Sequence, residues 1–259
     1  MTSLPFPGAP LQALLATLMT WLVTALGAAL VLLIRRPRPT LMNALMAFGA
    51  GVMLASSYFS LLAPCVELAE AAGQRAWLVS GGGFLTGGLA MLLGDALLAR
   101  SSLAQASHRR RSLLLITSIT LHNFPEGLAV GVAFGAAAAG DAPALMAAWA
   151  LAVGIALQNL PEGAAVSLPL RRDGLSRGRA FFWGQLSGAV EPVAGLLGAL
   201  LAAGAGGILP FLLSFAAGAM VCVVLAELVP ECARDRRPAL MTTAALCGFT
   251  MMMVLDVAL

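Results

Sequence analysis

The stretches "SITLHNFPEGLAVG" at residues 118–131 and "GIALQNLPEGAAVS" at residues 154–167 share an Asn-x-Pro-Glu-Gly core with apolar flanks. Each one places an amide, a proline and a carboxylate inside a run that is otherwise typical of a membrane helix. The second copy begins 36 residues after the first. Burying polar groups without partners is costly, so two buried copies of one polar motif indicate a chemical role.

The composition of the chain indicates an all-α integral membrane protein. The 259 residues are 60% hydrophobic and 10% charged, and their mean hydropathy is +0.92. A soluble globular domain is about a quarter charged. The first apolar run, at 11–34, is long enough to cross a bilayer, and residues 1–10 lack the basic start of a signal peptide, so we predict a first span that is not cleaved. The four cysteines show neither metal-site nor disulfide spacing and are interpreted as packing residues.

The arginines predict the topology. The chain has no lysine, and 14 of its 15 arginines fall at 35–38, 100–111, 171–179 and 234–237. Basic loops stay on the cytoplasmic side, so alternation with the nearly uncharged or acidic loops predicts eight spans with both termini extracytoplasmic. Seven spans would leave one arginine cluster outside. The predicted spans of the single domain 1–259 are 11–34, 43–64, 76–98, 113–138, 144–169, 180–203, 209–230 and 239–258.

Two pairs of similar segments indicate inverted repeats. "FGAGVML" at 48–54 and "FAAGAMV" at 215–221 both read Phe-x-Ala-Gly-x-Met. The predicted topology runs these two segments in opposite directions, as it does the two hexamers in spans four and five. Antiparallel copies are typical of transporters built from inverted repeats, here arranged 3+2+3, with the substrate site near the middle of the membrane.

The hexamers combine metal-ligand side chains with a freed backbone carbonyl. His122 and Glu126 are four residues apart and share one helix face. Pro125 cannot donate a backbone hydrogen bond, which leaves the carbonyl of Leu121 free. Gly127 allows a neighbouring helix or an ion to come close. The corresponding residues of the second copy are Gln158, Asn159, Pro161, Glu162 and Gly163.

The charges of these spans favour a divalent cation. An ionised side chain at mid-bilayer costs at least about 2.5–3.5 kcal/mol. Glu126, Glu162 and Glu191 all lie in apolar segments, and spans four to six contain no lysine or arginine. Helix packing would explain any one of these polar residues, but the two hexamers together with Glu191 favour metal binding. Without metal we expect the glutamates to share protons, so metal binding would release protons.

These motifs resemble the ZIP family of divalent metal transporters (Zrt/Irt-like proteins), specifically its bacterial, GufA-like branch. The resemblance covers nearly the whole chain and rests on "HNFPEG", "QNLPEG", "GQLSGAVEP" and "FAAGAM…AELVPE". It implies a mononuclear or binuclear metal centre formed mainly by spans four and five, and an elevator-like movement. The implied first site uses His122, Glu126, Gln158, Glu162 and Glu191, to which Met53 adds a thioether. The implied second site uses Asn123 and Asn159, with the glutamates bridging.

Two positions depart from the family pattern. Gln158 stands where many members have histidine, and Asn159 stands where some relatives have aspartate. Neutral amides reduce the charge of the second site, so we expect one ion to bind strongly. Imidazole, carboxylate, amide oxygen and thioether together suit Zn²⁺, with Cd²⁺, Fe²⁺, Mn²⁺ and Co²⁺ as competitors.

Acidic residues near the ends of the predicted spans suggest a path for the ion. Glu67, Ser60 and Asp256 lie near the outer ends of their spans and are interpreted as an electrostatic entrance. The candidate exit residues at the cytoplasmic side are Asp95, Glu227 and Glu231. Each of these acids is equally explained as an interfacial charge that faces water.

The sequence therefore predicts a secondary transporter that imports Zn²⁺ or a similar ion into the cytoplasm and is not an enzyme. A Walker A motif needs a lysine, and an intramembrane metalloprotease needs two histidines, whereas one of the two histidines here is in a loop. The alternative is a non-transporting metal receptor or assembly subunit. The expected partners are the divalent ion, the bilayer and a second copy in a homodimer, with no nucleic acid and no catalytic cofactor. The composition of the chain suggests a bacterial protein, and we expect it to lie in the inner membrane.

Overall fold

The computed structural model describes residues 8–34, 38–100, 110–137, 142–204 and 207–258, and every regular element within these ranges is a helix. Side chains at 98–100, 110–119, 121, 122, 172, 203 and 204 are outside this description. The elements are α1 (Ala9–Leu33), α2 (Pro39–Ser56), π1 (Ser57–Leu62), α3 (Ala63–Ala71), α4 (Ala76–Arg100), α5 (Arg110–Ala136), α6 (Ala142–Arg172), α7 (Arg177–Gly188), α8 (Val190–Gly204), α9 (Leu209–Val223), π2 (Val224–Leu228), α10 (Val229–Ala233) and α11 (Pro238–Ala258).

The protein is a multi-pass membrane protein. Within the described residues, seven helical stretches are long and apolar enough to cross a bilayer. They are Ala9–Leu33, Pro39–Ala71, Ala76–Leu97, Ala142–Arg171, Arg177–Ala202, Leu209–Ala233 and Pro238–Ala258, and each overlaps one predicted span. The predicted fourth span corresponds to α5, a helix of 27 residues that is not among the seven. The count of eight and the side of each terminus stay predictions.

The helices form two groups. In the first group, α1 packs against α6, α5 packs against α8, and α7 joins them through α1 and α6. We call these helices the site bundle. In the second group, α2 packs against α11 and α4 against α9, and π1 and α3 also pack on α9. The two groups meet mainly where α2 lies against α6 and where α9 lies against α5.

The glycines of both hexamers are points at which helices of the site bundle approach one another closely. A Cβ at Gly163 would collide with the carbonyl oxygen of Thr24 on α1. A Cβ at Gly127 would collide with the backbone of Glu191 on α8. Gly127 was predicted to admit either a helix or an ion, and the structure shows that a helix takes this space.

Each hexamer proline lies inside a continuous helix. Pro125 falls within α5, and Pro161 falls within α6. A proline removes one backbone donor without ending a membrane helix when neighbouring helices support the chain. The polar residues around each proline therefore stay on the faces of a regular helix.

The segments that contain the two Phe-x-Ala-Gly-x-Met sequences have the same order of elements. In the first, π1 begins four residues after Met53 and ends just before Ala63 and Pro64. In the second, π2 begins four residues after Met220 and ends just before Val229, which Pro230 follows. This shared irregularity, a rare helix type in each case, supports the predicted relation between these two segments. The complete inverted topology stays a prediction.

Candidate metal centre

The two hexamers meet through a side-chain hydrogen bond between α5 and α6. Gln158 Nε2 donates to Glu126 Oε1 over 2.6 Å, and both residues are fully buried. The second oxygen of Glu126 and the amide oxygen of Gln158 have no hydrogen-bond partner among the described residues. Glu126 Oε2 and Gln158 Oε1 are thus without a described hydrogen-bond partner, although the two side chains are hydrogen-bonded to each other across α5 and α6.

Two further residues of the same helices have open polar atoms. Glu162 follows Gln158 by one helical turn, and its buried Oε2 has no described partner. Asn123 precedes Glu126 by three residues on α5, and neither atom of its buried side-chain amide is bonded within the described part of the chain. The Glu126 carboxylate also lies close enough to those of Glu162 and Glu191 to interact with both electrostatically. We call Asn123, Glu126, Gln158 and Glu162 the open cluster.

The Glu191 carboxylate on α8 has a contrasting environment. Asn159 Nδ2 donates to both of its oxygens, over 2.9 Å each. Thr24 Oγ1 donates to Oε1 over 3.3 Å, and Thr20 Oγ1 donates to Oε2. We call Thr20, Thr24, Asn159 and Glu191 the closed cluster, because every oxygen of its carboxylate is bonded. The Oδ1 of Asn159 is buried without a described partner.

Sequence reasoning missed Thr20 and Thr24. Both are buried on α1, a helix that carried no predicted site residue. Their only sequence signal is the spacing of Thr17, Thr20 and Thr24, which lines one helix face in an otherwise apolar segment. A threonine hydroxyl is often satisfied by its own helix backbone, so this signal is weak.

Two further predicted ligands, His122 and Met53, are not joined to the open cluster by any described contact. His122 belongs to α5, but its side chain lies outside the described side chains, so its role stays a prediction. Met53 is buried in the hydrophobic core, one turn along α2 from Gly49, where a Cβ would come within 3.5 Å of Gln158 Cβ. Within the described residues, no group of three or more His, Cys, Asp or Glu side chains is arranged to hold a metal ion.

Two of the three candidate entrance residues are in contact. Ser60 Oγ, in π1, donates to Asp256 Oδ2, near the end of α11, over 2.6 Å. Asp256 is half-buried, whereas Glu67 is exposed on α3. The structure thus joins Ser60 to Asp256 but leaves Glu67 on the surface.

The candidate exit residues divide in the same way. Asp95 on α4 and Glu227 in π2 both lie near the Cys222 side chain. Glu231 is exposed and forms an ion pair with Arg234 over 2.8 Å. Exposed pairs of this kind contribute little to stability.

Comparison with known proteins decides the family. The family model described as "ZIP Zinc transporter" matches residues 99–256, a range that includes both hexamers and Glu191. The chain belongs to the ZIP family. This confirms the resemblance seen in the sequence.

Relatives along nearly the full length of the chain carry transporter names. The chain is 38% identical to the zinc transporter ZIP11 of Xenopus tropicalis, over 96% of this chain and 97% of the relative. It is 36% identical to the zinc transporter GufA of Myxococcus xanthus, over 95% and 98%. It is 37% identical to the zinc transporter ZIPB of Bordetella bronchiseptica, over 91% and 77%. These relatives are named as transporters, which agrees with the prediction that this ZIP protein is not an enzyme.

Proposed function

We propose that this ZIP protein is a secondary transporter that imports Zn²⁺, or a similar divalent ion, into the cytoplasm of a bacterium. The observation that carries the proposal is the open cluster, in which four buried oxygens on two apolar helices have no donor among the described residues. Buried carboxylates without compensation are strongly unfavourable in a membrane. A divalent cation supplies the missing positive charge.

The proposed ligands are the open oxygens and one imidazole. Glu126 Oε2, Glu162 Oε2 and Gln158 Oε1 supply three oxygens, and Asn123 Oδ1 lies on the same helix as Glu126. His122 adds a nitrogen, as the family resemblance implies. Zn²⁺ accepts both nitrogen and carboxylate oxygen ligands. Met53 is one turn from the α2–α6 contact and is the proposed thioether ligand, which would favour softer ions.

The two helix groups support an elevator-like movement. Both hexamers and Glu191 belong to the site bundle, whose members approach at glycine positions with no room for a side chain. Its contacts with α2 and α9 are less extensive than its internal ones. Alternating access in inverted-repeat transporters proceeds by rigid-body movement of one bundle against the other. We propose that the site bundle moves with its ion past α2 and α9.

The π segments support the proposed path. Ser60, a candidate entrance residue, lies in π1, and Glu227, a candidate exit residue, lies in π2. Single π turns within α-helices often occur at functional sites. We propose that the Ser60–Asp256 pair receives the ion and that Asp95 and Glu227 release it on the cytoplasmic side.

Metal uptake into proteoliposomes tests this proposal. Zn²⁺, Cd²⁺, Mn²⁺ and Fe²⁺ are offered separately to the wild type, to Glu162→Ala and to Glu70→Ala. Glu70 is an exposed carboxylate on α3 and is the matched control. We expect the wild type and the control to take up Zn²⁺ and Glu162→Ala to lose uptake. If the wild type moves no metal, a non-transporting receptor or assembly subunit becomes the better explanation.

A further inference from the structure

We propose that Thr20 and Thr24 are positioning residues that occupy the Glu191 carboxylate and so keep it from serving as a ligand of the transported ion. This inference rests on the proposed function, in which the open cluster binds that ion. It assigns to α1 a role in the metal centre, and it divides three similar glutamates into two ligands and one fixed charge.

The first argument is the number of bonds that Glu191 accepts. Its Oε1 accepts from Asn159 and Thr24, and its Oε2 accepts from Asn159 and Thr20, which makes four bonds in total. A carboxylate has about four lone-pair sites. The acceptor capacity of Glu191 is therefore filled by protein donors, whereas Glu126 and Glu162 each keep an open oxygen.

The second argument is that each threonine has an alternative acceptor. Thr20 Oγ1 lies 3.0 Å from the carbonyl oxygen of Thr17, and Thr24 Oγ1 lies 3.2 Å from that of Thr20. A hydroxyl has a single proton to donate. Thr20 Oγ1 lies closer to Glu191 Oε2 than to the Thr17 carbonyl. Thr24 Oγ1 lies at nearly the same distance from Glu191 Oε1 and from the Thr20 carbonyl, so both protons can go to Glu191. Without Glu191, both hydroxyls would still be satisfied by the α1 backbone.

The third argument is that the packing of α1 makes this contact possible. Thr24 fits against Gly188, where a Cβ would come within 3.0 Å of its side chain. Thr17 fits in the same way against Gly195. Small residues on α7 and α8 thus allow the threonine face of α1 to reach the buried carboxylate. The hydroxyls, rather than the shape of the side chains, are then what Glu191 requires.

Zn²⁺ binding to the purified full-length protein tests the division of the glutamates. Calorimetry compares the wild type with Glu191→Gln and Glu162→Gln, which both remove one charge and keep the side-chain volume. Loss of a residue outside the ligand set typically costs about 10–100-fold in metal affinity. We expect Glu191→Gln to bind one ion with at most about a 100-fold loss, and Glu162→Gln to lose clearly more than about 100-fold. A larger loss in Glu191→Gln than this overturns the inference.

A second pair of variants tests the threonines themselves. Thr20→Val with Thr24→Val removes both hydroxyls at nearly constant shape, and Thr20→Ser with Thr24→Ser keeps them. The valine variant frees Glu191 to reach the ion, so we expect Zn²⁺ to bind more tightly, by up to about 10-fold, and uptake to slow because release slows. The serine variant should match the wild type. Unchanged or weaker binding in the valine variant overturns the inference, because a purely structural role would not tighten binding.

The outcome separates the two proposals. If the wild type neither binds nor transports Zn²⁺, the proposed function fails. If the wild type binds Zn²⁺ and Glu162→Gln does not, the proposed function stands, and the Glu191 and threonine variants alone decide the role of the closed cluster.

Discussion

The open cluster and the closed cluster contain the same kinds of groups but differ in their hydrogen bonds. Each combines carboxylate and carboxamide side chains in apolar helices of the site bundle. In the open cluster, oxygens of Glu126, Gln158 and Glu162 have no described partner. In the closed cluster, donors from α1 and α6 bond both oxygens of Glu191. The comparison shows that a buried acid is best interpreted through its donors and not through its residue type alone.

The largest effect is expected from removing a carboxylate of the open cluster. Glu126→Ala deletes an anionic ligand and also the acceptor of the Gln158 bond. We expect Zn²⁺ uptake to fall to the level of empty liposomes, measured as accumulated metal at matched protein density. Near-normal uptake would mean that the open oxygens are not the ligands.

The next largest effect is expected from a substitution that opens the closed cluster to a metal ion. Asn159→Asp replaces the amide that donates to both Glu191 oxygens with a second carboxylate. Two adjacent carboxylates repel each other unless a cation lies between them. We expect the number of Zn²⁺ ions bound per chain, measured by mass spectrometry of the metal, to rise from one to two. A ratio that stays at one would show that the closed cluster cannot be opened in this way.

A smaller effect, on thermal stability, is expected from a substitution that forces α1 and α6 apart. Gly163→Ala places a methyl group against the Thr24 carbonyl, whereas Gly81→Ala meets no atom within 4 Å. Overpacking of a tight contact costs about 1–3 kcal/mol. We expect thermal unfolding in detergent to shift downward for Gly163→Ala only. Removing the glycine from the exposed site in α4 should be neutral or slightly stabilising, because glycine is a poor helix former. Equal shifts in both variants would contradict the importance of this contact.

The smallest effect is expected at the Ser60–Asp256 contact. Asp256→Asn removes the charge that faces Ser60 but keeps an acceptor oxygen for the hydroxyl. Loss of an entrance charge slows the capture of cations and weakens the dependence of uptake on salt. We expect KM for Zn²⁺ to rise a few-fold with an unchanged maximal rate. A fall in the maximal rate at constant KM would instead place Asp256 in a later step.

Much of the open cluster was predictable because its residues are anomalous in their surroundings. Glu126, Gln158 and Glu162 stand out in apolar segments, where each polar group needs an explanation. The seven apolar stretches were also predictable, because their hydrophobic composition is evident in the sequence. The π segments were not, because Pro64 and Pro230 indicate an irregular helix without specifying which kind.

The two threonines of the closed cluster were not predictable, because nothing about them is anomalous in the sequence. Thr20 and Thr24 can satisfy their hydroxyls on their own helix, so the sequence contains no sign that they do anything else. Their contact with Glu191 joins residues 171 and 167 positions apart. Only the approach of α1 to α8 at small residues reveals it.

The sequence by itself therefore determined the class of this protein, since apolar length, arginine placement and two polar hexamers together limit it to a membrane protein of the ZIP family. The tertiary structure decided which of the buried acids stay open. Sequence specifies the acceptors, but the donors come from helices that are distant in the chain. A carboxylate becomes a candidate ligand or a fixed charge according to how many of those donors reach it.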